Sequence, residues 1–174
     1  MNLKIEILNK VHKRKDFKSG KELLDNYLHK QAGQDAQKSL SVCHVLTDQD
    51  ADANRVLGYF TLSSSSIPLE DFPEELSKRI PKTYSIPIAL LGRLAMDEKE
   101  QKKGLGEILL FDALEKCLIS SKTLAIRAIV VDPIDQEAID FYHKYGFIMI
   151  PSTGKMFLPI ETIEGLFPDE ESEE

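Results

Sequence analysis

The spacing of apolar residues changes several times along the chain, and each change predicts an element. A short first strand is expected over residues 3–8, and residues 20–32 place Leu23, Leu24, Tyr27 and Leu28 at helical spacing behind Ser19, a residue suited to an N-cap. Two β-rich runs at 40–47 and 55–62 flank the acidic stretch 48–54, the composition of a hairpin connection. Residues 71–79, bracketed by Pro68, Pro73 and Pro81, predict a short helix or irregular turn. Residues 86–96 are apolar over most of their length, as a strand covered on both faces would be. A long helix over 104–120 follows, with Leu105, Ile108, Leu109, Ala113, Leu114 and Cys117 in phase, and then a strand over 125–131. The segment 135–145 predicts a helix that Asp135 starts and Gly146 closes, and residues 147–150 and 155–158 supply the last strands. The order β-α-β-β-α-β-α-β-α-β-β predicts an α/β fold. It is a single domain, with a mixed sheet of about six to seven strands and flanking helices.

Composition narrows the class. A chain of 174 residues with 42% hydrophobic content can bury one substantial core. It shows no apolar run of membrane-spanning length and no signal-peptide layout, so a soluble, cytoplasmic protein is expected. Cys43 and Cys117 stand alone in apolar segments and read as core; neither they nor His12, His29 and His44 have the spacing of a metal site. The net charge of −7 resides in residues 161–174, which carry seven acids and no base, so residues 1–160 have no net charge. Residues 161–174 read as an acidic extension, partly disordered, beyond a domain spanning 1–160. At the other end Lys10, Lys13, Arg14, Lys15, Lys18 and Lys21 form a basic cluster, either a solvated approach to the first helix or a surface for a polyanion.

Candidate chemistry concentrates where the predicted central strand meets the long helix. Arg93-Leu94-Ala95-Met96-Asp97 ends the strand, and Gln101-Lys102-Lys103-Gly104-Leu105-Gly106 leads to Glu107 and the helix. A helix start offers free N–H groups and partial positive charge, and glycine lets backbone approach phosphate oxygens, so a pyrophosphate suits the turn. A dinucleotide fingerprint needs a small residue where Leu109 stands, and a P-loop needs Lys-Ser/Thr where Glu107 follows Gly106. One strand and one helix later comes Ala138-Ile139-Asp140-Phe141-Tyr142-His143-Lys144-Tyr145-Gly146-Phe147.

With Gln101-x-x-Gly104-x-Gly106 and Ala138-x-x-Phe141-Tyr142-x-x-x-Gly146-Phe147 at this separation, the sequence resembles the GNAT superfamily of N-acetyltransferases. The resemblance implies acetyl-CoA as cosubstrate and no metal. It implies a gap between splayed central strands, where the pantetheine arm bonds the backbone of Leu94, Ala95 and Met96. The pyrophosphate would rest on the amides from Lys102 to Glu107, including Lys103, Gly104, Leu105 and Gly106, with Gln101 and Phe141 also lining the cofactor site. Tyr142 would give a proton or hydrogen bond to the departing thiolate, and N–H groups near Met96 would stabilise the oxyanion.

Phe17-Lys18-Ser19-Gly20, Leu24-Asp25-x-Tyr27-Leu28, Gly58-Tyr59-Phe60-Thr61-Leu62-Ser63 and Gly92-Arg93-Leu94-Ala95-Met96-Asp97 look like the acetyltransferase toxins of bacterial toxin–antitoxin modules. That resemblance implies the α-amine of aminoacyl-tRNA as acceptor, with an antitoxin protein and a homodimer as partners. A small-molecule or protein amine, or a non-catalytic acetyl-CoA-binding module, is the alternative. The strand 86–96 has no acid to serve as general base, which favours an amine of low pKa. Arg93 reads either as a contact for the acceptor's phosphate or loop, or as a strand-end arginine paired with an acid.

Overall fold

A computed structural model of the chain describes residues 1–168. The residues cluster into two compact units. One comprises Met1–Ser63 and Leu91–Ala113, the other Ser64–Leu90 and the described residues from Leu114 onward.

In the first unit, β1 (Leu3–Ile7) runs antiparallel to β2 (Val42–Asp48) with Ile5 opposite Leu46, and β2 runs antiparallel to β3 (Gly58–Pro68) with Val45 opposite Tyr59. Between β1 and β2 lies one helical stretch in three pieces: α1 (Glu22–Asn26), a π-helical turn (Tyr27–Gln31) and α2 (Ala32–Gln37). Leu24, Tyr27 and Leu28 are buried against Phe17, Val45 and Tyr59, and the Tyr59 hydroxyl donates to the Leu24 carbonyl at 2.7 Å.

Two details differ from the periodicity. Leu23 is 75% exposed, because the buried stripe centres on Leu24, Tyr27 and Leu28 and leaves Leu23 about a quarter-turn away. Ser19 makes no helix cap. Its Oγ accepts from the Lys21 N–H at 3.1 Å and donates to Asp25 Oδ1 at 2.6 Å, and its own N–H donates to the same oxygen at 2.8 Å.

In the second unit, α3 (Glu74–Ser77) precedes β4 (Ser85–Met96), whose first half belongs here and second half to the other unit. After α4 (Leu105–Ser121) come β5 (Ala128–Val131), α5 (Gln136–Lys144), β6 (Ile148–Met149), β7 (Met156–Pro159) and α6 (Ile160–Leu166). β5 and β7 are antiparallel with Val130 opposite Phe157, and β6 pairs β7 with Ile148 opposite Phe157. Ile67, Phe72, Ile86, Ile88, Val130 and Phe157 form the core, and the Phe72 and Phe157 rings stand 5.2 Å apart. β5 is shorter than the apolar run 125–131, and the Arg127 N–H donates to the Pro87 carbonyl at 2.8 Å just ahead of it.

The strand order is β1-β2-β3-β4-β5-β7-β6, a seven-stranded mixed sheet with flanking helices, as the element order predicts. β4 and β5 are neighbours joined through α4, the crossover that parallel strands require. The serine run 63–66 is part of β3, which extends to Pro68. Ile160–Leu166 is helical where the charge pattern reads as a tail: Ile163 is fully buried, and Arg127 Nη1 reaches both oxygens of Glu161 at 2.7 Å. The disorder expected of the acidic end concerns residues 169–174 in the main, and these lie outside the described residues. Both cysteines are buried, and burial pushes each thiol up to about 12, so neither is a nucleophile at neutral pH. Among the described residues no helix is long and apolar enough to cross a membrane.

Candidate active site

The turn from β4 to α4 is held by two buried carboxylates. Asp97 is 4% exposed and Glu100 7%. Asp97 Oδ2 accepts from the Lys18 N–H at 3.1 Å, and its Oδ1 accepts from the Lys99 N–H at 3.1 Å and from Arg55 Nη2 at 3.4 Å. Glu100 accepts from Arg55 Nη1 at 2.8 Å and from Lys103 Nζ at 2.9 Å. The Lys103 ammonium, and then Arg55, hold the Glu100 carboxyl below its ordinary range against the opposing effect of burial. Asp97 is thus more than a turn residue. Arg55 and Glu100 carry no local motif and escape sequence reasoning; their only signal there is a lone basic residue at the end of an acidic loop.

Gln101 turns back into the protein, where its amide donates to the carbonyls of Ser19 at 2.8 Å and Met96 at 3.0 Å. It pins the turn to the end of β4. Lys102 and Gly104 both have left-handed backbones, with φ of +63° and +77°, and a β-carbon on Gly104 would meet nothing within 4 Å. Glycine is needed at 104 for its conformation rather than for space, and left-handed residues in a turn make concavities lined by N–H groups. Lys102, Lys103, Gly104 and Glu107 are exposed, Gly106 is half-buried, and Leu105 is buried as the anchor of α4. The N–H groups of Leu105, Gly106 and Glu107 lie in the first turn of a 17-residue helix and have no intrahelical acceptor. The Lys103 charge is engaged by Glu100, which leaves the amides, the helix start and the exposed Lys102 as sources of positive potential at the turn. Gly58 admits the turn's other support: a β-carbon there would overlap Met96 Sδ and lie 2.9 Å from the Ala95 carbonyl.

At the end of β4, Ala95 is buried while Leu94 and Met96 are half-buried. Arg93 is no acid-paired arginine: its guanidinium lies 3.5 Å from the centroid of the Tyr27 ring. The Tyr27 hydroxyl in turn donates to Asp35 Oδ2 at 2.9 Å.

In the second unit, α5 starts at Asp135, whose side chain accepts from the Ala138 N–H at 2.8 Å, and ends before Gly146 at φ +90°. Tyr142 is 6% exposed, its ring 5.3 Å from Phe141 and 5.2 Å from Phe147. Half-buried Phe141 also meets Tyr145 at 5.1 Å, and His143 is exposed. Burial pushes the Tyr142 phenol above its ordinary value, so the group stays protonated at neutral pH. No buried side-chain polar atom among the described residues lacks a partner. Among the described residues no group of three or more histidines, cysteines or carboxylates is placed to hold a metal.

Comparison with known proteins places this geometry. Residues 41–147 match the model of the acetyltransferase (GNAT) family. A "tRNA-acetylating toxin" of Mycobacterium tuberculosis is 38% identical over 136 residues, 78% of either chain. A tyrosine-to-phenylalanine mutant of KacT superposes with a TM-score of 0.89 at 28% identity, covering 96% of this chain and all of that one. AtaT complexed with acetyl-methionyl-tRNAfMet superposes with a TM-score of 0.87 at 28% identity and the same coverage. Another structure of AtaT, a tyrosine mutant described as a toxin and bound to acetyl-CoA and the C-terminus of the antitoxin AtaR, gives 0.80 at 27%, covering 96% of this chain and 99% of that one. The chain belongs to the acetyltransferase (GNAT) family.

Proposed function

We propose that this acetyltransferase moves the acetyl group of acetyl-CoA onto the α-amine of an aminoacyl-tRNA, acting in the cytoplasm as the toxin of a toxin–antitoxin pair. The observation that carries the choice of acceptor is the likeness to the tRNA-acetylating toxin over 78% of both chains. The chemistry of β4 agrees with it. Ser85–Met96 contains no acid, so the strand offers no carboxylate base for a lysine amine of pKa about 10.4, whereas an α-amine near 8 is already partly neutral at pH 7.

The amine nitrogen attacks the thioester carbonyl carbon, the C–S bond breaks, and the thiolate takes its proton from the Tyr142 hydroxyl; the ammonium gives up one proton to water, and water returns one to the phenolate. Lys102, Lys103, Gly104, Leu105, Gly106 and Glu107 hold the pyrophosphate through main-chain N–H groups, with Gln101 fixing the turn rather than touching the phosphates. The backbone of Leu94, Ala95 and Met96 takes the pantetheine arm. Its room is supported by strand lengths: β4 has twelve residues and β5 four, and the Arg127–Pro87 hydrogen bond sets their pairing near the start of β4. Phe141 lines the site beside Tyr142.

The test is cell-free translation. Added protein with acetyl-CoA should arrest synthesis, and omission of acetyl-CoA or the Tyr142→Phe substitution should restore it. Uninhibited translation with active wild-type protein and acetyl-CoA would overturn the proposal.

A further inference from the structure

Several cations of the first unit are paired with acids: Lys4 with Glu6, Lys13 with Asp52, Lys18 with Glu98, Arg55 with Asp97 and Glu100, Lys103 with Glu100. Among the described residues two half-buried arginines, Arg14 and Arg93, have no acid at ion-pair distance. Arg93 lies on the face of Tyr27, and its charge also acts on the Asp35 carboxylate without forming an ion pair with it, which leaves N–H donors at the edge of the guanidinium. Tyr27 is itself held, by its hydroxyl bond to Asp35, whose other oxygen accepts from Gln31 at 2.8 Å. The ring is part of the π-helical turn, a local departure from α-helix of the kind that collects at functional sites. Arg14 lies against Gly33 of α2, where a β-carbon would come within 2.7 Å of its Nη1; the missing side chain is what admits the guanidinium. Tyr27 and Gly33 belong to the same helical stretch, six positions apart, so both guanidiniums lie against it.

We propose that Arg14 and Arg93 form a phosphate-binding site for the acceptor strand of the tRNA, with Tyr27 and Gly33 as the positioning residues that hold the two guanidiniums open. A guanidinium freed of carboxylate partners and fixed at its face presents paired donors to an anion, the geometry in which arginine takes phosphate. The site rests on the acceptor proposed above. It also answers the absence of net positive charge over residues 1–160, because local unpaired arginines rather than overall charge do the recognising.

The full-length protein is assayed with charged tRNA and labelled acetyl-CoA over a salt series, comparing wild type with Arg14→Gln, Arg93→Gln, Tyr27→Phe and Tyr27→Leu. Each arginine variant should raise KM for tRNA about tenfold, far more than KM for acetyl-CoA, and lower the slope of log affinity against log salt by about 0.7, the value for one single-strand phosphate. Tyr27→Leu should share the loss with circular dichroism unchanged, and Tyr27→Phe, which keeps the ring, should recover most of it. A larger rise in KM for acetyl-CoA than for tRNA would assign the arginines to the 3′-phosphate of the cosubstrate and overturn the site. Unchanged slopes would overturn it too. Should wild type transfer nothing to charged tRNA, the acceptor proposal fails first, an outcome distinct from either.

Discussion

Arg55 Nη1 lies 2.8 Å from Glu100 Oε1, joining the loop between β2 and β3 to the turn that precedes α4 across 45 positions of sequence. The Glu100 carboxylate is nearly sealed from solvent and shared with Lys103, so this pair sets the shape of the glycine turn. Arg55→Met removes the donor, leaves two buried acids short of a partner and should cost about 2 kcal/mol, a fall of about 5 °C in Tm. The exposed pair Lys13–Asp52, at 2.6 Å, is the control: Lys13→Met should shift Tm much less. Equal shifts in thermal unfolding would deny the turn its buried anchor.

The same carboxylate gives a pH dependence. Glu100 titrates below its ordinary value of 4.5, so its stabilisation is complete above that value and is lost as pH falls through the lower folded value. Urea midpoints of wild type should therefore drop more steeply between pH 4.5 and 3 than those of Glu100→Gln. Parallel curves would show that the carboxylate carries no such linkage.

Gly104→Ala forces a left-handed backbone on alanine at φ +77°, at a cost of about 1 kcal/mol, with no clash to add to it. Lys102→Gly, at φ +63°, should by contrast leave stability unchanged or slightly raised. If the turn's amides hold pyrophosphate, the alanine variant also raises the calorimetric Kd for acetyl-CoA severalfold. An unaltered Kd would place the phosphates elsewhere.

Tyr142→Phe keeps the ring contacts with Phe141 and Phe147 and removes only the hydroxyl, the proposed proton donor. Turnover should fall about 100-fold with acetyl-CoA binding nearly intact. Since burial raises the phenol above its ordinary value of 10, the wild-type rate should climb with pH as the acceptor amine loses its proton. It should show no falling limb below pH 10 in initial-rate measurements. A descending limb near pH 8 would point to a different acid.

The sequence shows the order of the elements along the chain and the long helix, because β4 and α4 are long segments dense in apolar residues. It also marks Gly104, Gly106 and Tyr142, since turn chemistry and the Phe141-Tyr142 pair are local. It hides what depends on distant partners. Nothing near Glu100 foretells Arg55, nothing near Gly33 foretells Arg14, and Gln101 reads as a ligand contact although its amide is spent on Ser19 and Met96. The seam in the first helix is hidden for another reason: a π-helical turn shifts phase within a stretch that still looks periodic. In α6 the charge of the surrounding acids masks Ile163, the one residue that buries it.

The acceptor decides what this enzyme does, and direct transfer tests it most simply. Purified protein is incubated with radiolabelled acetyl-CoA and either aminoacyl-tRNA or the same tRNA deacylated, and label is followed into acid-precipitable material before and after mild base. Label should enter only charged tRNA and leave with the amino acid as its N-acetyl derivative when the ester is cleaved. Label in peptides or polyamines but none in charged tRNA would contradict the account.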